Sequence, residues 1–457
     1  MAEDMTSTVR PVRLYSVFWR WHFLGALIVI PFVLWQSTTG TLYLWSEWWM
    51  DVHYPELRFV AESPSVVSPS EQLAAAVSFL GGGQGVGVGV GVGGAPEQVH
   101  ERHRHHQLMS LDPAALSVQQ IVLSDDPHRS TEVIMQGADG LPYPIFVDPR
   151  SGQVLGGLTA AQWLPGLSRA LHAGWPLGNP GNWLLELGNC WAIVMIVSGL
   201  YLWWPRGRSF WQALQPRGDA GLRVLLRDLH AIVAVIFSSV LLFFLISALP
   251  WTAFWGGQVL SRVQYVLHQE SPAGFSTGGA TAVQMVGAGA SIDAVAQTAR
   301  DRGVTGAITI QLSPWQGAPL FVTNRVSSLQ EDRIITADPA TGNIGGDFRN
   351  SDLPIIPRLV AVGVHVHQGD FGPLNLWLNT LLATSLVWLS ATGLVSWWIR
   401  RPKGQLGIPP ARDVRWSKGM LIPLGAMSLL LPIFGLSVIA IAAIGWTLKR
   451  PLRWKPA

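Results

Sequence analysis

The sequence predicts an α-helical integral membrane bundle of four to five transmembrane helices, with two small α+β units outside the membrane and an internal duplication. Three observations lead to this fold class. Only 13% of the residues are charged, about half the share of an ordinary soluble domain. Five apolar runs each reach the ~20 residues that a membrane helix needs. Trp and Tyr, of which the chain has 23 and 6, crowd the ends of these runs, as is typical of membrane interfaces.

The five apolar runs are the candidate membrane helices. They are Trp21–Trp45, Trp183–Trp204, Leu229–Trp255, Leu374–Ile399 and Met420–Trp446. The first run is too long for the core of a signal peptide and has no small-residue cleavage site, so it is predicted to be a retained anchor. Pro432 lies within the fifth run, and proline interrupts helices. A single crossing and a re-entrant hairpin therefore both stay open for residues 419–446.

Lysines and arginines predict the orientation of the chain, because they favour the cytoplasmic ends of membrane helices. They collect in residues 1–20, 205–228 and 400–418. All three segments face the cytoplasm together if the N-terminus is cytoplasmic and the first four helices cross alternately. Residues 46–170 and 256–366 then lie outside, and the basic tail 447–457 follows the fifth run. The net charge of +3 is too small to indicate nucleic acid as a partner.

The two outer segments are each predicted to form a small α+β unit. Helical patterns cover Ser68–Leu80 and Ile292–Arg300, and strand patterns cover Glu132–Gln136, Tyr143–Val147, Ala307–Leu312 and Leu320–Thr323. A turn that begins at Asp148 closes the first unit, and one that begins at Asp338 closes the second. Asp-Pro followed by Gly is typical of such turns, because proline restricts φ and glycine permits positive φ.

An insertion of biased composition, residues 81–106, enlarges the first outer unit. It opens with a glycine-rich run, residues 81–94, and carries four histidines, His100, His103, His105 and His106. Imidazoles in such a cluster are candidates for binding a transition metal, but a solvated loop is the simpler interpretation. The single cysteine, Cys190, excludes a disulfide within the chain, C-x-x-C-H haem attachment and a cysteine-bound iron–sulfur cluster.

The two halves of the chain match in order and spacing. Four histidines each precede a glycine or alanine, and the spacing is nearly the same in the two halves. His22 precedes Gly40 by 18 residues, and His230 precedes Ala248 by 18. His172 precedes Gly199 by 27 residues, and His367 precedes Gly393 by 26. Each half is thus predicted to contain an inner histidine, an outward helix (21–45 or 229–255), an outer unit and an outer histidine with an inward helix (171–204 or 367–399). Such self-similarity indicates duplication.

The four matched histidines are the candidate functional residues, because ionisable side chains at membrane depth are costly and usually functional. Two imidazoles on facing helices can serve as the axial ligands of one haem iron. The predicted pairs are His22 with His230 on the inner side and His172 with His367 on the outer side. Inert, hydrogen-bonded histidines are the alternative interpretation. No residue is predicted to be catalytic.

Three further residues are secondary candidates near these pairs. Arg20 and Arg227 each lie close to an inner histidine and are possible partners of haem propionates. His365 is a weaker alternative to His367 as a ligand. Only His367 opens the run His-x-Gly-x-x-Gly, where glycines permit a close approach to the backbone.

Taken together, these residues resemble the PepSY-associated transmembrane family, which includes the ferrioxamine-type siderophore reductases of bacterial inner membranes. The resemblance covers nearly the whole chain. The motifs that carry it are Arg20-Trp21-His22-Phe23-Leu24-Gly25, Thr39-Gly40, Leu171-His172 with Gly178 and Gly181, the run from Ser198-Gly199 to Pro205-Arg206, Arg227-Asp228-Leu229-His230, His367-Gln368-Gly369 and Thr392-Gly393-Leu394. Both Asp-Pro-x-Ser/Thr-Gly turns are similar to the PepSY signature.

The resemblance implies a multi-pass protein of the bacterial inner membrane with two b-type haems, bound by His22, His230, His172 and His367. It implies an oxidoreductase that passes electrons from a cytoplasmic or quinol donor to a ferric siderophore in the periplasm; the donor and the siderophore stay open. The chain departs from the family pattern at the insertion and at Ser247-Ala248, where Thr-Gly is expected.

Two other functions compete with the reductase. A non-enzymatic PepSY sensor or binding protein would need the outer units but not the matched histidines, which therefore favour the reductase. Repeated halves are also typical of transporters. The apolar runs, however, lack the paired breaks and the midspan charges that a transporter uses, so this class is disfavoured.

Overall fold

The computed structural model describes residues 14–62, 65–80, 116–270, 289–312, 320–325, 328, 332–338, 343–409 and 418–449. The insertion 81–106, Arg10 and Arg13, positions 339–342 of the second turn and the end of the basic tail lie outside these residues. The chain forms two compact units. The helical unit contains residues 1–38, 173–262 and 378–457, and the sheet unit contains residues 39–172 and 263–377.

The α-helices, in chain order, are α1 (Leu14–Leu44), α2 (Ser46–His53), α3 (Pro55–Arg58), α4 (Pro69–Leu80), α5 (Leu164–His172), α6 (Gly178–Trp203), α7 (Phe210–Ala213), α8 (Leu222–Ala248), α9 (Ser261–Val266), α10 (Gly289–Asp301), α11 (Ile355–Gln368), α12 (Pro373–Arg400), α13 (Lys418–Leu430) and α14 (Pro432–Lys449). A π-helix, Trp255–Leu260, precedes α9, and short 3₁₀ turns cover Gly218–Ala220, Leu249–Trp251 and Asn350–Asp352.

Four spans of the described residues are long and apolar enough to cross a membrane. They are Leu14–Leu44, Gly178–Trp203, Leu222–Trp251 and Pro373–Arg400. At 1.5 Å per residue, each exceeds the ~30 Å of a bilayer core. Helices α1 and α8 begin seven residues before the predicted spans, so His22 and His230 are each the ninth residue of a helix and do not lie at its start.

The fifth apolar run is not one continuous helix. It forms α13, with 13 residues, and α14, with 18 residues, and Pro432 is the first residue of α14. Proline is favoured at the first position of a helix because its missing N–H has no intrahelical partner there. Helices of these lengths extend about 20 and 27 Å, short of the ~30 Å needed to cross a bilayer core.

The core of the helical unit joins α1, α6, the end of α8 and α14. Val33, Cys190, Trp191 and Phe434 are buried together in it, so Cys190 serves there as a small packing residue. The fully buried carboxylate of Glu186 in α6 accepts the backbone N–H groups of Phe254 at 2.9 Å and of Trp255 at 3.1 Å. This acidic residue inside a span was not predicted from the sequence.

The sheet unit is built on a single eight-stranded antiparallel sheet. Its strands are β1 (Leu116–Leu123), β2 (Thr131–Gly137), β3 (Pro142–Val147), β4 (Val154–Gly157), β5 (Ala307–Gln311), β6 (Leu320–Arg325), β7 (Arg333–Ala337) and β8 (Ile344–Arg349), in the spatial order β4-β3-β2-β1-β5-β6-β7-β8. The sequence predicted two separate α+β units. Their strands form one sheet because β1 pairs with β5, from Gln120 opposite Gln311 to Leu123 opposite Ile308. This pairing satisfies two strand edges that would otherwise be exposed.

Helices cover both faces of the sheet. Helix α4 contacts α10, and Asp293 of α10 accepts hydrogen bonds from the backbone N–H and the hydroxyl of Ser70, at 2.7 and 2.5 Å. On the opposite face of the first four strands, Met50 of α2 and Phe146 of β3 are fully buried in a second cluster. The predicted turn at Asp148 joins β3 to β4, with Gly152 at φ 72° as expected.

A buried ionic network ties the segment after α1 to the sheet. Arg58 of α3 has a side chain only 6% exposed and contacts the carboxylates of Glu47, Asp51 and Glu132. Arg129 also pairs with Asp51, at 2.6 Å. Burial works to lower the pKa of Arg58, but the three carboxylates raise it overall. The network therefore holds a charged guanidinium at the junction of α2, α3 and β2.

Candidate functional site

Two of the predicted histidines meet in the sheet unit. His172 is the last residue of α5, and His367 is the residue before the last in α11. Their ring centroids are 6.2 Å apart, with an angle of 62° between the ring planes. Each of these helices directly precedes one of the candidate spans, α6 or α12, so the fold brings together two residues that are nearly 200 positions apart in the sequence.

The imidazole of His172 packs against α1 at a threonine followed by a glycine. Its Nδ1 is hydrogen-bonded to the buried hydroxyl of Thr39, at 3.0 Å. A Cβ added at Gly40 would lie 3.2 Å from Cε1 and 3.5 Å from Nδ1 of the same ring. The absence of a side chain at Gly40 thus lets the ring approach the helix closely enough to reach the neighbouring hydroxyl.

The other two predicted histidines lie in the helical unit and are held in the same way. His22 Nδ1 is bonded to the Ser198 hydroxyl at 2.9 Å, and a Cβ at Gly199 would lie 3.2 Å from its Cε1. His230 Nδ1 is bonded to the Thr392 hydroxyl at 3.0 Å.

The hydroxyl groups determine which ring nitrogen carries the proton in this second pair. The Ser198 hydroxyl donates to the Met195 carbonyl at 3.1 Å, and the Thr392 hydroxyl donates to the Trp388 carbonyl at 2.8 Å. A hydroxyl has one proton to donate, so each accepts its bond from the histidine Nδ1–H. His22 and His230 therefore carry their lone pair on Nε2, the form that binds a metal through Nε2.

The two predicted arginines differ in their surroundings. The guanidinium of Arg20 donates to the carbonyl of Pro409. Arg227 pairs with Asp228 at 3.0 Å, and Arg217 pairs with the same carboxylate at 2.9 Å, so Arg227 is already engaged by an acidic neighbour. Arg400, one of the basic residues that predict the orientation of the chain, lies over the ring of Trp19 at 5.5 Å, on the helix that carries His22.

His365, the weaker candidate, has a carboxylate at each ring nitrogen. Asp370 contacts Nδ1 at 2.9 Å and Asp332 contacts Nε2 at 3.2 Å. Burial works to lower the pKa of His365, but the two carboxylates raise it to about 9. An imidazolium offers no lone pair to a metal. Burial lowers the pKa of His367 to about 4, so this ring is neutral near pH 7 and differs from its neighbour in charge.

The glycines of the His-x-Gly-x-x-Gly run have a local structural reason. Gly369 follows the last residue of α11 in the left-handed conformation, with φ 82°, and its N–H bonds to the carbonyl of His365 at 3.1 Å. Gly372, with φ 84°, precedes α12. Glycine adopts positive φ without a steric penalty. Both residues therefore serve the sharp connection between the two helices.

The fold defines a multi-pass helical membrane protein that carries an antiparallel sheet outside its spans. Residues 19–400 match the family described as the PepSY-associated TM region. Since this match covers most of the chain, the protein belongs to that family. No curated protein matches the chain.

Proposed function

We propose that the protein is a dihaem b-type electron-transfer protein of the bacterial inner membrane, which reduces ferric siderophores in the periplasm with electrons from the cytoplasmic side. The observation that carries the proposal is the repeated arrangement at three of the four matched histidines: each ring packs against a glycine, and its Nδ1 is bonded to the hydroxyl one residue before that glycine.

The residues present fit a haem. Two imidazoles would hold the haem iron, and at His22, His172 and His230 the hydrogen bond at Nδ1 leaves Nε2 for this role. The ring centroids of His172 and His367 lie 6.2 Å apart, so both imidazoles could take part in holding one metal group. Within the described residues, no group of three or more His, Cys, Asp or Glu side chains is placed to hold a metal ion, so a site of the zinc type is not formed there.

The roles of the residues follow from these positions. His22 and His230 would hold one haem, and His172 and His367 the other. When bound, haem supplies one-electron transfer between the ferric and ferrous states. Ser198, Thr39 and Thr392 orient the imidazoles, and the apolar spans exclude water. Arg20 is the better placed of the two arginines for a propionate, because Arg227 already pairs with Asp228.

The substrate chemistry is a one-electron reduction of Fe(III) in its chelate to Fe(II). Siderophores hold the ferrous ion more weakly, so reduction would release it. The orientation follows the basic segments, with the N-terminus in the cytoplasm and the sheet unit in the periplasm. We also infer a duplication: each half supplies a span, a helix, four strands, a histidine-bearing helix and a second span, in that order.

An absorption spectrum of the purified protein, before and after dithionite, tests the cofactor. We expect the bands of a reduced b-type haem at about two haems per chain. His172→Ala and His367→Ala should each lose one haem and keep the other, whereas His128→Ala, at an exposed loop position, should lose neither. Protein without a Soret band from haem-replete cells would contradict the proposal.

Activity is tested with the loaded protein in nanodiscs. After reduction with dithionite and removal of the excess, addition of a ferric siderophore should reoxidise the haem and release Fe(II), measured with a ferrous-specific chelator. Protein that binds two haems but is not reoxidised would contradict the substrate. Haem-free protein that binds a periplasmic peptide would favour the competing function, a PepSY sensor or binding protein.

A further inference from the structure

Three charged side chains meet beside the turn that carries His367. Asp332 precedes β7, His365 lies in the last turn of α11, and Asp370 follows the glycine that ends this helix. The carboxylates of Asp370 and Asp332 lie 2.9 and 3.2 Å from Nδ1 and Nε2 of His365. The side chains of Asp332, His365 and Asp370 are 18%, 18% and 10% exposed. We call these three residues the clamp.

Hydrogen bonds restrain the turn that contains His367 on both sides of this residue. The N–H of Asp370 donates to the carbonyl of His365 at 3.0 Å, so His365 and Asp370 are joined through both backbone and side chains. Asn375 donates from its side chain to the carbonyl of Val366 at 3.0 Å. Each of these bonds therefore restrains a residue next to His367 or two or three positions away from it.

Asp332 connects this turn to the sheet. It is the residue before Arg333, where β7 begins, and its carbonyl accepts the N–H of Asn350 at 3.2 Å. The contact between Asp332 and His365 thus joins two segments 33 residues apart in the sequence. Helix ends fray, and His367 lies at the end of α11. The contact between Asp332 and His365 connects this helix end to the eight-stranded sheet.

The clamp also carries charge. Two carboxylates face a single imidazole, which carries at most one positive charge. The clamp is therefore net negative, in a partly buried position where water screens charge less than at the surface. A negative charge near a metal stabilises the more positive, oxidised state.

We propose that Asp332, His365 and Asp370 are positioning residues for His367 and that their net negative charge lowers the reduction potential of the metal group this histidine holds. The proposal rests on the proposed function, because it requires a redox centre at His172 and His367. It assigns two roles to the three residues: they restrain the position of His367, and they supply a fixed charge beside it.

Potentiometric titration of the holoprotein in nanodiscs at pH 7 tests the charge, with each haem followed by its absorption band. Asp332→Asn and Asp370→Asn each remove one negative charge but keep an oxygen that accepts a hydrogen bond, so the midpoint potential of one haem should rise. His365→Gln keeps both carboxylates, so the potential of the same haem should not rise. The matched control is Asp139→Asn, since Asp139 bonds to Tyr143 and Leu141 in the first half of the sheet; it should change neither potential.

The absence of a rise in His365→Gln separates the fixed charge from a merely structural role, since a loosened turn would shift all three variants in the same direction. The mechanical role is read from the electron paramagnetic resonance of the ferric protein: Asp332→Ala should broaden the signal of one haem, and Asp332→Glu should restore it. Shifts of one sign in all three variants, or potentials equal to those of the wild type, would overturn the proposal while two bound haems keep the proposed function intact. Wild-type protein that binds no haem would remove the proposed function itself.

Discussion

Replacing Gly40 with alanine should weaken the binding of one haem, because the new methyl group would press on the ring of His172. The ideal position of that Cβ is 3.2 Å from Cε1 of the imidazole. Non-bonded carbons are most stable about 3.5–4.0 Å apart, so the ring must move away by a few tenths of an ångström. The hydrogen bond between Nδ1 and Thr39, 3.0 Å in length, would lengthen at the same time.

Two other glycines face a histidine ring, so the same substitution can be compared at different distances between the added Cβ and the ring. A Cβ at Gly199 would lie 3.2 Å from Cε1 of His22, whereas a Cβ at Gly393 would lie 3.8 Å from Cε1 of His230. Overpacking a tight site costs about 1–3 kcal/mol, which corresponds to a loss of roughly 5- to 100-fold in affinity. We therefore expect Gly40→Ala and Gly199→Ala each to lower the affinity for one haem by about this factor, and Gly393→Ala to leave both haems bound.

Haem titration into apoprotein in detergent, followed at the Soret band, measures these affinities. Alanine favours helix formation over glycine by about 1 kcal/mol at all three sites, so Gly393→Ala controls for the change in helix propensity. Equal affinities in all three variants, or the largest loss in Gly393→Ala, would refute the view that these glycines make room for the imidazoles.

Three further predictions follow from single contacts. Thr39→Val keeps the shape of the side chain but removes the hydroxyl bonded to His172; we expect a cost of about 1 kcal/mol in haem binding, measured in the same titration. Arg58→Met leaves three carboxylates without their buried cation and should lower the free energy of unfolding by about 3–5 kcal/mol, which denaturation in detergent would register as a lower midpoint. Arg333 lowers the pKa of Asp347, so the ionised carboxylate stabilises the fold above its ordinary pKa and ceases to do so as acid protonates it. Asp347→Asn should therefore be less stable than the wild type at pH 7 and equal to it near pH 2. A difference in stability that is the same at both pH values would contradict this.

Hydropathy predicted the four spans because a membrane helix must hold its apolar residues in one continuous run. The start of α1 was placed too late for a physical reason. Arg20 interrupts the apolar run, and the predicted span therefore began at Trp21. The helix nevertheless continues back to Leu14, and the guanidinium of Arg20 donates to the carbonyl of Pro409.

The joined sheet and the hydroxyl bonds could not be predicted in the same way. The pairing of β1 with β5 joins segments about 190 residues apart, and no local pattern specifies a partner at that separation. The sequence identifies Gly40, Gly199 and Gly393 as markers of spacing and as parts of family motifs, but not as contacts of the histidines. The residue before each is Thr or Ser, a signal that was present in the sequence, but which histidine each would contact depends on the arrangement of the helices.

The fourth histidine, His367, departs from this arrangement in two respects, and both are relevant to the direction of the proposed electron flow. The matching position in α8 is Ser247-Ala248, where the hydroxyl donates to the Phe244 carbonyl at 3.0 Å and Ala248 carries a Cβ that glycine lacks. The turn of His367 is tied to Asp332 and Asp370 through His365, beside a net negative charge. Three imidazoles are thus bonded to neutral hydroxyls, and the fourth lies next to charged groups. Electron transfer between two centres has a preferred direction only if their reduction potentials differ. The two halves of the chain differ in the surroundings of His367, which the proposed function assigns to one of the two redox centres.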